Sequence, residues 1–272
     1  MKKLTIALVL VMALMFSTVR IANAITDGNP DGNGHPYVVL LLMDVGGAPT
    51  YRCSGTLLSP TVLVTAGHCT SNEPGNPYTG MRVFNEADVQ SDPTYPNPGG
   101  PNTVEALDWH TLTGDAWFDQ PFYMNDVGIV ILSQPINLSQ YGALPTVDQF
   151  DSYKTKRGLQ NVFFTSVGYG RQASFPPAAS WKDETLKIRY YANPNLIQIN
   201  GGIVGDYGML LTNNAKTGGT CFGDSGGPNF VGNSNVIAGV TSFGMNSNCG
   251  GTGGIFRLDR QRVQDFIHTY LP

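Results

Sequence analysis

The chain has 272 residues, with 16 Lys and Arg against 20 Asp and Glu and a formal net charge of −4. That acidic balance argues against nucleic acid and anionic membrane surfaces as partners. Its 33 Gly and 18 Pro stay below the roughly 25–30% of low-complexity chains, so a folded, turn-rich protein is expected.

Lys2 and Lys3 open the chain, Leu4 to Phe16 is apolar, and Ala22-Asn23-Ala24 is a small-residue cleavage signature. Residues 1–24 therefore read as a secretory signal peptide. The apolar run is short for a membrane span, and no later stretch approaches that length, so no stable membrane association is expected. Lys2, Lys3 and Arg20 leave with the leader, so 248 residues remain with 13 basic and 20 acidic groups, near −7. The cut exposes Ile25-Thr26-Asp27-Gly28; a cut between Arg20 and Ile21 competes with it.

Short runs rich in Val, Ile, Leu, Thr and Phe, bounded by Gly and Pro, predict strands at 37–43, 61–65, 127–132, 161–167 and 236–242. Helical spacing returns only at Val263, Phe266, Ile267 and Tyr270, predicting a terminal helix over about 260–270. Between the second and third runs, residues 72–121 are rich in Pro and Gly and read as a long loop. Such loops are functional or disordered; a specificity-modifying insertion and a surface excursion are equally open. The four cysteines allow three pairings. With no CxxC pair and an exported chain, disulfides are favoured over free or metal-binding thiols.

Three segments carry chemistry. Thr65-Ala66-Gly67-His68-Cys69 ends a strand-like run, Asn125-Asp126 precedes another, and Cys221 leads into Gly223-Asp224-Ser225-Gly226-Gly227-Pro228. A serine in a glycine-rich bend lets a carbonyl and backbone amides approach closely. It is inert without a base, and a base needs an orienting acid. With these segments in the order His, Asp, Ser, the chain resembles the chymotrypsin-like, trypsin-fold serine proteases. Cys53-Ser54-Gly55-Thr56, Val167-Gly168-Tyr169-Gly170 and Thr241-Ser242-Phe243-Gly244 extend the resemblance over almost all of the chain after residue 24.

The resemblance implies an all-β fold of two six-stranded antiparallel β-barrels with a short C-terminal helix. It divides the chain into an N-terminal barrel at 25–140 and a C-terminal barrel with the helix at 141–272. It implies a secreted, monomeric serine endopeptidase acting on proteins or peptides, with no cofactor and no metal. Asp108, His110, Asp115 and Asp119 match no ligand spacing. Ser225 would be the nucleophile, His68 the base and Asp126 the orienting acid, with the Gly223 and Ser225 amides as oxyanion hole. The implied disulfides are Cys53–Cys69 and Cys221–Cys249. The new α-ammonium of Ile25 would turn inward and pair with Asp224.

For specificity, the resemblance puts Gly219 at the pocket base beside Thr220. Ser242, Phe243 and Gly244 would bind substrate backbone, and Gly254 would be the second wall glycine, although Gly250-Gly251-Thr252-Gly253-Gly254 leaves that alignment open. With no acid at the base, a preference for large apolar residues before the scissile bond is expected. An esterase using the same acyl transfer and a catalytically silent binding module are the alternatives; the second would be expected to lack a member of the His, Asp, Ser set.

Overall fold

The computed structural model describes residues 25–71, 78–112, 125–154, 161–182, 185–202 and 204–272. The leader expected at 1–24, and Asp115 and Asp119, lie outside the described residues.

From Val38 to Met43 every residue is buried. This run lies in β2 (Val38–Val45), which pairs with β3 (Ala48–Leu57) on one side and β5 (Tyr78–Phe84) on the other. β4 (Val62–Thr65), β7 (Gly128–Leu132) and β6 (Thr103–Thr111) complete a closed antiparallel barrel in the order β2-β3-β4-β7-β6-β5. Closure leaves no unpaired strand edge.

The second half is an eight-stranded sheet. Its members are β1 (Asn29–Pro30), β8 (Phe164–Gly168), β9 (Tyr190–Ala192), β10 (Leu196–Ile199), β11 (Gly208–Asn213), β12 (Pro228–Val231), β13 (Ile237–Gly244) and β14 (Gly251–Arg257). They run in the order β1-β9-β8-β12-β13-β14-β11-β10. It is a half-barrel rather than a closed ladder. β9 and β10 are consecutive, and Asn193-Pro194-Asn195 joins them, where Pro194 has no N–H to give to a ladder. The seam is bridged irregularly: Phe164 N donates to Pro194 O and Leu196 N to Val162 O, both at about bonding distance.

The chain ends cross between the halves. β1 joins the second sheet through β9. The short helix α1 (Gln261–His268) buries Val263 and Ile267 in the same core as the first barrel's strands, and Tyr270 beyond it stacks on His110 of β6 at 4.4 Å.

The expected strands at 37–43, 61–65, 127–132, 161–167 and 236–242 overlap β2, β4, β7, β8 and β13. The long loop expected at 72–121 is corrected. It contains β5 and β6, which close the first barrel, while 72–77 and 113–124 lie outside the described residues. In Thr103-Val104-Glu105-Ala106-Leu107-Asp108-Trp109 every side chain is at least partly exposed, and Leu107 is 72% exposed. Val104 and Ala106 alternate against the core, but the register shifts between Ala106 and Asp108. The run therefore has no sustained apolar period, and its strand identity comes from pairing with β5 and β7.

Candidate active site

The Thr65-Ala66-Gly67-His68-Cys69 and Asn125-Asp126-Val127-Gly128 segments sit against each other because β4 and β7 pair with Thr65 opposite Gly128. A methyl group on Gly128 would run into the Thr70 side chain, so glycine is required for this approach. The result brings His68 onto Asp126. Nδ1 of His68 lies 3.0 Å from both carboxylate oxygens, and His68 N donates to Oδ1 at 2.9 Å. Asp126 is fully buried, whereas the His68 side chain keeps 25% of its surface exposed. Ser242 Oγ donates a further short hydrogen bond to Asp126 Oδ2.

Burial opposes charge on His68, but the Asp126 charge and its hydrogen bond outweigh burial and raise the imidazole above its ordinary 6.5. With Nδ1–H held by the carboxylate, Nε2 of the neutral ring is left as a proton acceptor.

The serine loop is clamped between the two halves. Ser54 N donates to Ser225 O at 2.8 Å, and Ser54 Oγ donates to Gly223 O at 2.9 Å while accepting from Tyr169 N at 3.0 Å. From the other sheet, Gly226 N donates to Thr241 O at 2.8 Å. Gly226 has φ +77°, and a side chain there would meet Thr65 Oγ1 and Ala66 N. Among the described residues the Gly223 and Ser225 amides have no acceptor. Two disulfides brace the region, Cys53–Cys69 and Cys221–Cys249, with Cα–Cα separations of 6.3 and 5.2 Å.

His68 and Ser225 open onto one cavity of about 820 Å³. Thr220, Gly223, Ser242, Phe243 and Gly244 also line it. Gly219 and Gly254 do not. Gly219 is bridged to Thr26 and covered by Asn213. Gly254 lies under the Phe243 ring, and it is Gly253, opposite Gly244, that faces the Thr220 hydroxyl.

Asp224 is fully buried and accepts from Gly170 N at 2.7 Å and Cys221 N at 2.8 Å. Burial pushes its carboxyl up to about 7 against these two bonds and the Arg52 charge. It has no ion-pair partner among the described residues. Ile25 is buried with Tyr190 and Ala192. In the 272-residue chain its nitrogen is a peptide amide, so the ammonium that the resemblance implies does not exist there.

The family model described as Trypsin matches residues 25–267. The chain belongs to the trypsin family. Serine protease 1 of Drosophila melanogaster is 26% identical over 239 residues, spanning 84% of this chain and 78% of that protein. Brachyurin of Leptuca pugilator is 27% identical over 218 residues, spanning 80% and 84%. Among solved structures, HL collagenase superposes with a TM-score of 0.64 at 21% identity, covering 90% of this chain and 97% of that one, a likeness of fold.

This trypsin-family chain is a serine endopeptidase. Two features of its site escape sequence reading. Ser54 holds the serine loop at two points and Tyr169 at a third, and its only signal is its place beside Cys53. Arg52 lines the cavity from the first barrel, and nothing in its surroundings in the sequence marks it.

Proposed function

We propose that this protein hydrolyses peptide bonds through an acyl-enzyme on Ser225, with His68 as general base and then general acid and Asp126 as the orienting carboxylate. The observation that carries the reading is the His68–Asp126 pair, bonded at 3.0 Å, with His68 opening beside Ser225 on one cavity. Ser225 Oγ attacks the scissile carbonyl as Nε2 of His68 takes its proton. The Gly223 and Ser225 amides receive the oxyanion, and removing such a donor typically costs about 10²–10³ in rate. The protonated imidazole gives its proton to the leaving amine, and water then releases the acyl group.

Ser242, Phe243 and Gly244 hold the acyl side of the substrate as an added strand. Thr220, faced by Gly253 rather than by Gly219 or Gly254, shapes an uncharged pocket, which favours large apolar residues before the scissile bond. The leader at 1–24 directs export, and its removal frees Ile25, whose α-ammonium then pairs with Asp224. The unpaired, buried state of Asp224 and the buried position of Ile25 support this order of events.

An active-site phosphonate is the direct test. Labelling of the secreted protein at Ser225, lost in Ser225→Ala and in His68→Ala, is the expected result; labelling elsewhere, or none, rejects the triad. Peptides varied at the residue before the cut should be favoured about tenfold with Phe, Tyr or Leu. A preference for Arg or Lys refutes the pocket assignment. N-terminal sequencing should begin at Ile25.

A further inference from the structure

The chain is acidic overall, yet the cavity wall beside the oxyanion amides is basic. Arg52 lines the cavity, and a β-carbon on Gly223 would lie 2.9 Å from Arg52 Nε. Arg52 immediately precedes Cys53, so the Cys53–Cys69 disulfide fixes its strand next to His68. Among the described residues no carboxylate forms an ion pair with it. The groups within electrostatic reach are the buried Asp224, the Tyr95 phenol, and two further cations, Arg171 and Lys187. Arg171 lies at 5.5 Å over the ring of Phe222, which also lines the cavity. Burial is the largest influence pulling Arg52 below its ordinary value, and Arg171 adds to it. A partly buried guanidinium facing a cleft with like charges beside it is relieved by an anion that brings two acceptor oxygens.

The two walls of the cleft fix where that anion belongs. On one side of Ser225 runs β13, which holds the proposed acyl strand; on the other is β3, which carries Arg52. We infer that Arg52 is a specificity-determining residue that recognises an Asp or Glu side chain in the first two positions beyond the scissile bond. The inference rests on the proposed acyl-enzyme reading and adds the leaving side of the substrate to it. A bidentate contact to the planar fork selects a carboxylate over its amide isostere, because the amide presents one acceptor and a donor that faces like hydrogens.

The test uses the mature protein and internally quenched peptides with one apolar residue before the cut. Each of the two following positions carries Glu, Asp, Gln, Ala or Lys in turn. A peptidyl anilide, which has no residue beyond the scissile bond, reports hydrolysis independently. Glu should exceed Gln in kcat/KM by about tenfold at one of the two positions. Arg52→Lys should keep a preference for Glu, Arg52→Gln should bring the Glu/Gln ratio to about one, and Arg52→Glu should invert the order in favour of Lys. Each ratio is taken on one preparation, so partial misfolding of a variant cancels. Wild-type protein that cleaves the anilide without distinguishing Glu from Gln overturns the role of Arg52 alone. So does a ratio that survives in Arg52→Gln. Wild-type protein inert towards the anilide and every peptide overturns the serine mechanism, and this inference with it.

Discussion

In the proposed mechanism His68 must be neutral to accept a proton and charged to give one back, so its pKa would set the acid limb of activity. Asp126 and its hydrogen bond raise that pKa above 6.5 against the opposing effect of burial. The sign differs between stability and rate. The ion pair's contribution to stability is complete below the unfolded value of 6.5 and is lost as pH rises through the higher folded value. Catalysis needs the deprotonated ring and gains over that same upper range. The kcat/KM profile should therefore rise with pH through a midpoint above 6.5. In Asp126→Asn the carboxylate that holds the imidazolium is gone, so the midpoint should fall and kcat/KM should drop by about 10⁴. Titrating kcat/KM between pH 5 and 9 for both proteins checks this; an unchanged midpoint in Asp126→Asn rejects the pairing as its cause. The short bond from Ser242 to Asp126 adds a donor to this carboxylate, and it belongs to a different half of the molecule from the base. Sequence reading could single out His68, Asp126 and Ser225 as candidates because each sits in a short local motif. It did not reach the Ser242–Asp126 contact or the grip of Ser54, because residues far apart in the chain make them.

At the scale of elements, the proposed release of Ile25 would make the N-terminal segment and the serine loop one switch. Thr26 is bridged to Gly219, just ahead of the Cys221–Asp224 turn, so Ile25 is already buried beside the second sheet. With no ion-pair partner among the described residues and only the Arg52 charge opposing it from a distance, burial holds Asp224 at about 7 against an ordinary 3.8. A carboxyl with a raised folded pKa stays protonated longer in the native state. Stability is then highest below 3.8 and falls as pH rises towards 7, by about 4 kcal/mol across that window. A free ammonium at Ile25 should lower the Asp224 pKa and remove most of this loss. The comparison is between a Ser225→Ala chain starting at Ile25 and the same chain with one extra alanine before it. Thermal melts from pH 4 to 8 should show the extended chain losing Tm towards neutral pH and the Ile25 chain holding it. Parallel curves would sever Asp224 from the terminus. Element recognition shows the same division between local and distant cause. β2, β4 and β7 are continuous apolar runs buried in a closed barrel and are legible as such. β5 and β6 are defined by their pairing, and the glycine run before Ile255 has no side-chain pattern to distinguish Gly253 from Gly254.

Across the whole molecule, a buried cation ties the halves together. Arg189 has no exposed surface. Its Nε donates to Asp31 Oδ2 at 2.8 Å, Nη2 to Gly32 O at 3.0 Å, and Nη1 to Val38 O at 2.9 Å and to the Tyr169 hydroxyl at 3.0 Å. These partners span the N-terminal segment, the first barrel strand β2, and the residue before Gly170, which itself donates to Asp224. One guanidinium thus links the first barrel to the segment of the second half that leads to the serine loop. Arg189→Met removes the charge but keeps much of the volume, leaving Asp31 buried with His35 as its remaining partner. Breaking such a pair from one side typically costs about 3–5 kcal/mol. Adding Asp31→Leu removes the stranded carboxylate, so the double variant should recover part of that loss in urea unfolding, while the carbonyls left without a donor prevent full recovery. If the two single losses simply add, Arg189 and Asp31 are not coupled and the cation's hold rests on the carbonyls alone. If they couple and kcat/KM falls with stability retained at low temperature, the buried pair sets the cleft geometry as well as the fold.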